Sequence, residues 1–107
     1  MPALELAALD LHERHRQKLQ TLLALHTPQA QVWAYGSRVN GNAHEGSDLD
    51  LVLRQRIDLS QDVQGWDALK HALQESDLPM LVDLHQWSRL PPAFHANIEA
   101  AYVVLQP

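Results

Sequence analysis

The spacing of apolar residues predicts a helix and then a strand in the first third of the chain. Apolar positions at steps of three and four form the stripe of an amphipathic helix. Its members are Leu4, Ala8, Leu11, His15, Leu19, Leu22 and Leu25. Pro28 should end this helix, because proline has no backbone N–H to donate. Residues 32–35 are apolar and β-prone on both faces, which predicts a short buried strand.

A second strand and a second helix are predicted in the middle of the chain. Apolar Leu49, Leu51 and Leu53 alternate with Asp48, Asp50 and Val52, the period-2 pattern of a strand with one aliphatic face. Either Ser60 or Asp62 can cap a following helix, which would hold Gly65 in its interior. The inward face of that helix would consist of Val63, Trp66, Leu69 and Leu73.

Two further elements complete the predicted domain. Residues 80–85 have the pattern of a third strand. Pro91 or Pro92 suits the first turn of a last helix with Phe94, Ile98 and Ala101 on one face. Residues 103–105 should form a short strand or a docked tail. The order helix, strand, strand, helix, strand, helix predicts a small α/β or α+β domain with helices over a sheet.

Length and composition are those of one compact domain, which we assign to residues 1–107. No apolar run approaches the roughly 18 residues of a membrane span. The first ten residues lack the basic and apolar regions of a secretory signal, so we expect a cytoplasmic protein. The absence of cysteine excludes disulfides, thiol catalysis and Cys-based zinc sites.

The net charge of −5 limits the partners that this chain can bind. Proteins that hold nucleic acid by its backbone need basic surface to displace counterions. Here 8 Lys and Arg face 13 Asp and Glu, and no basic block appears. Sequence-independent binding of DNA or RNA is therefore disfavoured. A small anionic ligand is compatible with this charge, because divalent cations can supply the missing positive charge.

Two carboxylates stand two residues apart at the start of the second predicted strand. On a strand, the side chains of Asp48 and Asp50 leave the same face, with Cα atoms about 6.5–7 Å apart. Such a pair can share metal ions but repels itself without them. Mg²⁺ commonly binds one or two carboxylates together with substrate phosphates. Two such ions can clamp the attacking and leaving oxygens of an in-line displacement.

A glycine-rich connection precedes these carboxylates. Residues 36–47 hold three of the chain's four glycines, which indicates special backbone conformations. Gly36 lets the backbone approach a phosphate closely, and the amides after it can form an anion-binding concavity. Ser37 adds a hydroxyl, and Arg38 adds a guanidinium that can hold phosphate oxygens in a fork. A triphosphate-binding turn is thus predicted beside the carboxylate pair.

The spacing of these residues resembles a known signature. Gly36-Ser37, ten intervening residues and then Asp48-Leu49-Asp50 resemble the DNA polymerase β-like nucleotidyltransferase superfamily. The string GSRVNGNAHEGSDLDLVL and the tail from Trp87 to Tyr102 resemble the minimal nucleotidyltransferase (MNT) proteins in particular. This resemblance runs from about Val32 to the C-terminus. It implies a small mixed sheet flanked by helices, and Mg²⁺-dependent transfer of a nucleoside monophosphate, with ATP as the expected donor, to an acceptor hydroxyl.

The resemblance also implies roles for individual residues. In the superfamily a third carboxylate comes from a later strand, and Asp83 occupies the matching place. Two Mg²⁺ ions would be held by Asp48, Asp50 and Asp83. The phosphates of the NTP would be held by Gly36, Ser37 and Arg38. On the attacking side, Asp83 would help to deprotonate the acceptor.

The resemblance further implies a partner protein. MNT proteins are typically paired with a small all-helical HEPN protein, as antitoxin with toxin or as a transferase with its substrate-binding subunit. The antitoxin members are similar to enzymes that AMPylate a tyrosine on the toxin. We therefore expect a HEPN-type partner that presents the acceptor. A module that only masks such a toxin is the alternative, and the sequence suits both. A homodimer is compatible with the size of the domain.

Some residues near the predicted site have simpler interpretations. Arg38 is as compatible with a surface salt bridge to Glu45 as with phosphate binding. Ser47 is more typical of a turn than of a residue that orients Asp48. His85 lies on the same strand face as Asp83 and would then reach the site, although ordinary packing is the more common role of such a histidine.

Other aromatic and histidine residues are better explained by structure than by chemistry. His12 and His15 have helical spacing, but no further metal ligands cluster near them, so exposed helix histidines are favoured over a zinc site. The larger aromatic residues are predicted to belong to the core rather than to a base-stacking platform or an interface. They are Trp33, Tyr35, Trp66 and Trp87.

Overall fold

A computed structural model describes residues 3–44 and 46–107 of the chain. The strands are Ala3–Leu4 (β1), Ala30–Tyr35 (β2), Leu49–Gln55 (β3), Val82–Gln86 (β4) and Tyr102–Gln106 (β5). The α-helices are Glu13–His26 (α1), Ser37–Asn40 (α2), Trp66–Glu75 (α3) and Pro92–Ala100 (α4). Single 3₁₀ turns lie at Leu6–Ala8 and Trp87–Arg89. This mixture confirms the α/β class that the sequence predicts.

The five strands form one mixed sheet in the order β1-β5-β2-β3-β4. The central pairs β5–β2 and β2–β3 are antiparallel, whereas β1–β5 and β3–β4 at the two edges are parallel. In this register Tyr35 lies opposite Asp50, and Asp50 lies opposite Asp83. Residues directly opposite each other point to the same face of a sheet. A row of three polar side chains therefore crosses β2, β3 and β4.

One side of the sheet, which we call the aliphatic face, packs against α1 and α3. The helices contribute Leu19, Leu23, Leu69 and Leu73. The strands contribute Val32, Ala34, Leu49, Leu51, Leu53, Val103 and Leu105. Burying a leucine or valine side chain stabilises a fold by about 1.5–3 kcal/mol. This face is therefore the main source of the domain's stability.

The opposite side, which we call the aromatic face, packs against α4 and the turn before it. Trp33 stacks on Tyr102 with ring centroids 3.9 Å apart, and the guanidinium of Arg54 lies 3.9 Å from the Trp33 centroid. Trp87 and Ile98 close the cluster from the side of α4. Trp33, Tyr35 and Trp87 are buried, which confirms them as core residues, while Trp66 is half-buried.

The first helix starts later than the sequence predicts. Leu4 pairs with Val103 of β5, and α1 begins only at Glu13. The side chain of His12 accepts a hydrogen bond from the backbone N–H of Arg14 at 3.2 Å and so caps the helix. Leu4 and Leu11 still pack against the aliphatic core, but Ala8 and Leu25 are exposed, so the predicted stripe is confirmed only in part. The end of the helix at His26, before Pro28, is confirmed.

The prediction that Gly65 lies inside the second helix is wrong. Its φ of 84° is in the left-handed region, and it precedes the first helical residue, Trp66. A Cβ at this position would overlap the backbone oxygen of His26. Neither predicted cap acts as one, because the N-cap residue is Gly65 itself. Val63 is nevertheless buried, and its N–H donates to Gln86 Oε1 at 2.8 Å.

The C-terminal elements follow the sequence closely. Helix α4 starts at Pro92, as proline at the first turn predicts, and β5 realises the expected terminal strand. The third predicted strand starts two residues later than expected, at Val82. Within residues 3–44 and 46–107, no helix is long and apolar enough to cross a membrane.

Candidate active site

The turn after β2 holds a glycine that no other residue could replace without strain. Gly36 has φ 83° and ψ −155°, in a region that is essentially restricted to glycine. A Cβ at Gly36 would overlap Oδ2 of Asp50 and lie 3.4 Å from its Cγ. The missing side chain therefore lets the Asp50 carboxylate lie directly against the turn. The glycine and the carboxylate, far apart in sequence, form one structural unit.

The residues after Gly36 form a single helical turn. The N–H groups of Val39 and Asn40 both donate to the carbonyl oxygen of Gly36, at 3.0 and 3.1 Å. The amides of Ser37 and Arg38 precede these bonds, and the first N–H groups of a helical turn have no partner within it. Ser37 is half-buried beside them. Backbone donors and a hydroxyl thus lie next to Asp50, as the interpretation of a phosphate-binding turn requires.

The three predicted carboxylates differ in how the fold holds them. Asp50 is half-buried on β3 and lies opposite the exposed Asp83 of β4. Asp48 is exposed and lies one residue before β3, so the strand begins one residue later than the sequence predicts. The pKa of Asp50 is raised, first by burial and then by the charge of Asp83; His85 lowers it and Asp48 raises it further.

Two residues that the sequence assigned mainly to packing belong to this site. Burial, followed by the charges of Asp50 and Asp83, raises the pKa of the Tyr35 hydroxyl. The Nε2 atom of His85 lies 3.2 Å from Oδ2 of Asp83. In the sequence, the position of Tyr35 directly before Gly36 was a signal that Tyr35 lies at the site. The shared strand face of Asp83 and His85 was the corresponding signal for His85.

An aromatic rim borders the carboxylates. The rings of Tyr35, His85 and Phe94 lie 6.1–6.4 Å from one another, and Phe94 reaches over from α4 with 36% of its surface exposed. A cavity of about 340 Å³ beside Gly36 is lined by Tyr35, Phe94 and Asn97 among others. From the sequence, only the inward face of the last helix could be predicted. The position of that helix over β2, which brings Phe94 to the rim, depends on the tertiary fold.

Arg38 is held by the protein chain itself. The side chain is buried, with 7% exposed. Its Nε and Nη2 donate to the carbonyl oxygen of Ser47 at 3.0 and 2.8 Å, and its Nη1 donates to that of Asp10 at 2.8 Å. Arg38 is therefore not at the surface, and Glu45, its other predicted partner, lies outside the described residues. A phosphate contact of Arg38 stays a prediction beside this structural role.

The carboxylates suit a metal ion that is shared with a substrate rather than one held by protein alone. Among residues 3–44 and 46–107, no three His, Asp or Glu side chains converge into a ready-made metal cage. Asp50 and Asp83 nevertheless lie opposite each other, and after burial the charge of Asp83 is the next cause that raises the pKa of Asp50. A cation would relieve the repulsion between the two carboxylates. Mg²⁺ fits such a site because it commonly takes one or two carboxylates and completes its shell with phosphates and water.

Comparison with known proteins identifies the family of this chain. Residues 17–106 match the family described as "Polymerase beta, Nucleotidyltransferase". The chain belongs to this nucleotidyltransferase family. The matched range includes the turn at Gly36 and all three carboxylates of the predicted site.

A relative within the family indicates the subgroup. The chain is 41% identical over 100 residues to "Probable protein adenylyltransferase MntA" of Haemophilus influenzae, covering 94% of this chain and 86% of the relative. The identification of the chain as a minimal nucleotidyltransferase and as an enzyme of that class is confirmed. The roles of individual site residues stay predictions.

Proposed function

We propose that this nucleotidyltransferase transfers AMP from ATP to a hydroxyl group on a partner protein. The observation that carries the proposal is the contact between Gly36 and Asp50, which joins a phosphate-binding turn to the carboxylate row. The relative from Haemophilus influenzae is named a probable protein adenylyltransferase, which supports ATP as the donor and a protein as the acceptor.

In this proposal the turn binds the phosphates of the NTP, and the carboxylates bind the metal ions. The amides and hydroxyl at Gly36 and Ser37 donate to phosphate oxygens. Asp48, Asp50 and Asp83 would hold two Mg²⁺ ions, which offset the negative charge of the triphosphate when bound. The absence of a basic block on this acidic chain supports the need for such cations.

The transfer itself is an in-line displacement at phosphorus. The acceptor oxygen bonds to the α-phosphorus, and the bond from the α-phosphorus to the bridging oxygen breaks, so that pyrophosphate leaves. Asp83 accepts the proton of the acceptor hydroxyl, because it is the exposed carboxylate at the outer strand of the site. Its contact with His85 at 3.2 Å steadies the carboxylate for that task.

We infer that the acceptor belongs to a helical HEPN-type protein in the cytoplasm. This chain would be the antitoxin of such a toxin, or the catalytic subunit of a two-component transferase. The resemblance to MNT proteins supports this partner. The small size of the domain also supports it, since helices α1, α3 and α4 pack on the chain's own sheet and leave no separate acceptor-binding domain among the described residues.

The test is transfer of label from nucleotide to the neighbouring gene's HEPN-type product. The purified chain, that protein and Mg²⁺ are incubated with ATP labelled at the α-phosphate, and we expect label on a hydroxyl of the partner. ATP labelled at the γ-phosphate is the control and should leave the partner unlabelled. A tight complex without label would contradict the proposed transfer and support the alternative, a module that only masks the toxin.

Metal dependence is tested separately by calorimetry. ATP is titrated into the chain with Mg²⁺ and again with EDTA, and we expect binding only with the metal, because the carboxylates and the triphosphate would otherwise meet as like charges. Equal affinity in both titrations would contradict the proposed metal site.

A further inference from the structure

The outer edge of β4 has backbone groups that no described strand pairs with. Strand β4 lies at one end of the sheet and, among the described strands, pairs only with β3. The N–H of Leu49 donates to the carbonyl oxygen of Leu81 at 2.8 Å, so the odd-numbered residues of β4 direct their backbone groups toward β3. The N–H and C=O groups of Val82 and Leu84 consequently face outward. This edge is open over five residues, whereas the other edge is the two-residue β1.

A groove runs between this edge and α3. A cavity of about 350 Å³ is lined by Leu73, Leu81 and Leu84 among others. A second cavity of about 630 Å³, lined by Trp66 and again by Leu84, follows along the strand. We call the two together the edge groove. Leu81 at its start has 75% of its surface exposed.

The same strand connects the edge groove to the active site. Asp83 and His85 alternate with Val82 and Leu84, so their side chains lie on the aromatic face near Asp50. A strand added beside β4 would lie about 4.8 Å away and would direct every second side chain onto that face. Its other side chains would enter the edge groove. A hydroxyl-bearing residue on such a strand therefore comes within reach of Asp83.

We propose that the acceptor protein presents its hydroxyl on an extended segment that pairs with the outer edge of β4. The inference rests on the proposed function, since it assumes a protein acceptor. Backbone hydrogen bonds to Val82 and Leu84 supply affinity, and the edge groove selects the residues that flank the hydroxyl. This arrangement explains why the strand that carries the third carboxylate is also the open edge of the sheet.

The charge of the edge groove favours an acceptor segment over a second copy of this chain. Its acidic lining residues are Asp62, Asp67 and Asp83, and its basic ones are Lys70 and Arg89. Arg89 is already paired with Asp62, with Nη2 and Oδ2 2.5 Å apart. The remaining charged residues are Asp67, Asp83 and Lys70, so the lining has a small excess of negative charge, and the whole chain carries a net charge of −5. A neutral or basic segment fits this surface, whereas another acidic chain would be repelled.

The first experiment changes the exposed leucine at the groove. Leu81→Asp should reduce labelling of the HEPN-type partner at limiting partner concentration by at least about tenfold, the scale of one interface anchor. The affinity for ATP with Mg²⁺ should stay at the wild-type value. Leu25→Asp is the matched control, because Leu25 is 68% exposed on α1, away from the groove, and it should label the partner normally.

The second experiment measures amide hydrogen exchange, residue by residue, with and without the partner protein. We expect the amides of Val82 and Leu84 to gain protection on binding, whereas those of Asp83 and His85 are already protected by β3. Uniform or absent changes along β4 would contradict strand pairing. A dimer of this chain that protects the same amides without partner, and that Leu81→Asp dissociates, would assign the edge to a second copy instead.

These outcomes separate the inference from the proposed function. If the wild-type chain labels the partner while Leu81→Asp labels it equally well, the edge of β4 is not the acceptor site. If the wild-type chain labels no partner hydroxyl at all, the proposed function fails and the inference falls with it.

Discussion

The two faces of the sheet are made from alternate residues of the same strands, yet their chemistry differs. On β3, Leu49, Leu51 and Leu53 are fully buried against α1 and α3. On the other side of that strand, Asp50 is half-buried next to Tyr35 and Asp83. The aliphatic face follows the ordinary rule of burying apolar surface, whereas the aromatic face brings like charges together under a partial cover of rings.

This difference separates the sources of stability and of function. Burial and the charge of Asp83 raise the pKa of Asp50, so ionising Asp50 opposes folding at neutral pH. A fold can tolerate such a cost when the opposite face supplies enough apolar burial. On one strand, a mutation on the aromatic face should therefore reduce transfer, whereas a mutation on the aliphatic face should reduce the free energy of unfolding.

The largest expected effect comes from changing Asp50 and its neighbour Leu51 in parallel. Asp50→Asn should lower transfer by at least about 10²-fold, the scale of losing one electrostatic contact to a transition state. Leu51→Ala should instead lower the free energy of unfolding by about 2–5 kcal/mol, because it leaves a cavity in the aliphatic core. Transfer assays and urea unfolding measure the two effects. Wild-type transfer by Asp50→Asn would contradict the proposed site.

The pH dependence of stability sharpens the same comparison. Because the pKa of Asp50 is raised in the folded state, its favourable contribution is present at low pH and is lost as the pH rises through that pKa. Asp50→Asn should therefore melt at the same temperature as the wild type, or higher, at pH 7 without metal. That gain should vanish near pH 3, where the wild-type carboxyl is protonated in both states. A gain that is independent of pH would exclude charge repulsion as its cause.

The next effect concerns the contact between Gly36 and Asp50. Gly36→Ala should lower transfer by at least about tenfold, since small displacements of reacting groups have large effects on rate. Gly41→Ala is the control, because Gly41 has nearly the same φ, 85° against 83°, and nothing lies within 4 Å of its added Cβ. An alanine at Gly41, with ψ 5°, has the cost of a left-handed residue, about 1–2 kcal/mol. An alanine at Gly36, with ψ −155°, costs more, so transfer by the two variants is compared per folded protein. Equal transfer by the two variants would show that the Asp50 contact is unimportant.

The site could be predicted from the sequence where it depends on local spacing. The signature of Gly36, Ser37, Asp48 and Asp50 stands within a short stretch, whereas Asp83 was implied by the family resemblance. The strand with Asp48 and Asp50 begins one residue later than predicted, at Leu49, whose N–H donates to the carbonyl oxygen of Leu81. That bond is a tertiary contact, which the alternation of residues does not contain.

The parts that could not be predicted depend on distant contacts. The left-handed Gly65 is explained by the carbonyl oxygen of His26, which lies where its Cβ would be. Phe94 joins the aromatic rim only because α4 crosses β2. The open edge at β4 follows from the strand order, which periodicity along the chain does not specify. Local patterns thus predict candidate site residues, and the tertiary fold determines how those residues meet.

The smallest expected effect concerns Arg38, which links the aliphatic side of the molecule to the active site. Its guanidinium joins the carbonyl oxygen of Asp10, just before α1, to that of Ser47, just before Asp48. Lysine cannot reproduce this planar fork. Arg38→Lys should therefore lower the free energy of unfolding by about 1–3 kcal/mol. It should reduce transfer less than either change above, through a misplaced Asp48, and leave ATP affinity nearly unchanged.

A phosphate-binding Arg38 predicts the reverse pattern, namely weaker ATP binding at unchanged stability. Calorimetry with ATP and Mg²⁺, combined with urea unfolding, distinguishes the two roles in one variant. Arg14→Lys, at an exposed position of α1, controls for the exchange of one cation for another. Because Arg38 donates three hydrogen bonds to backbone oxygens, we expect stability rather than nucleotide affinity to change. The predicted losses of transfer therefore decrease from Asp50 to Gly36 to Arg38. Asp50 carries the charge that is proposed to hold a metal ion, Gly36 sets the position of Asp50, and Arg38 supports the loop that precedes Asp48.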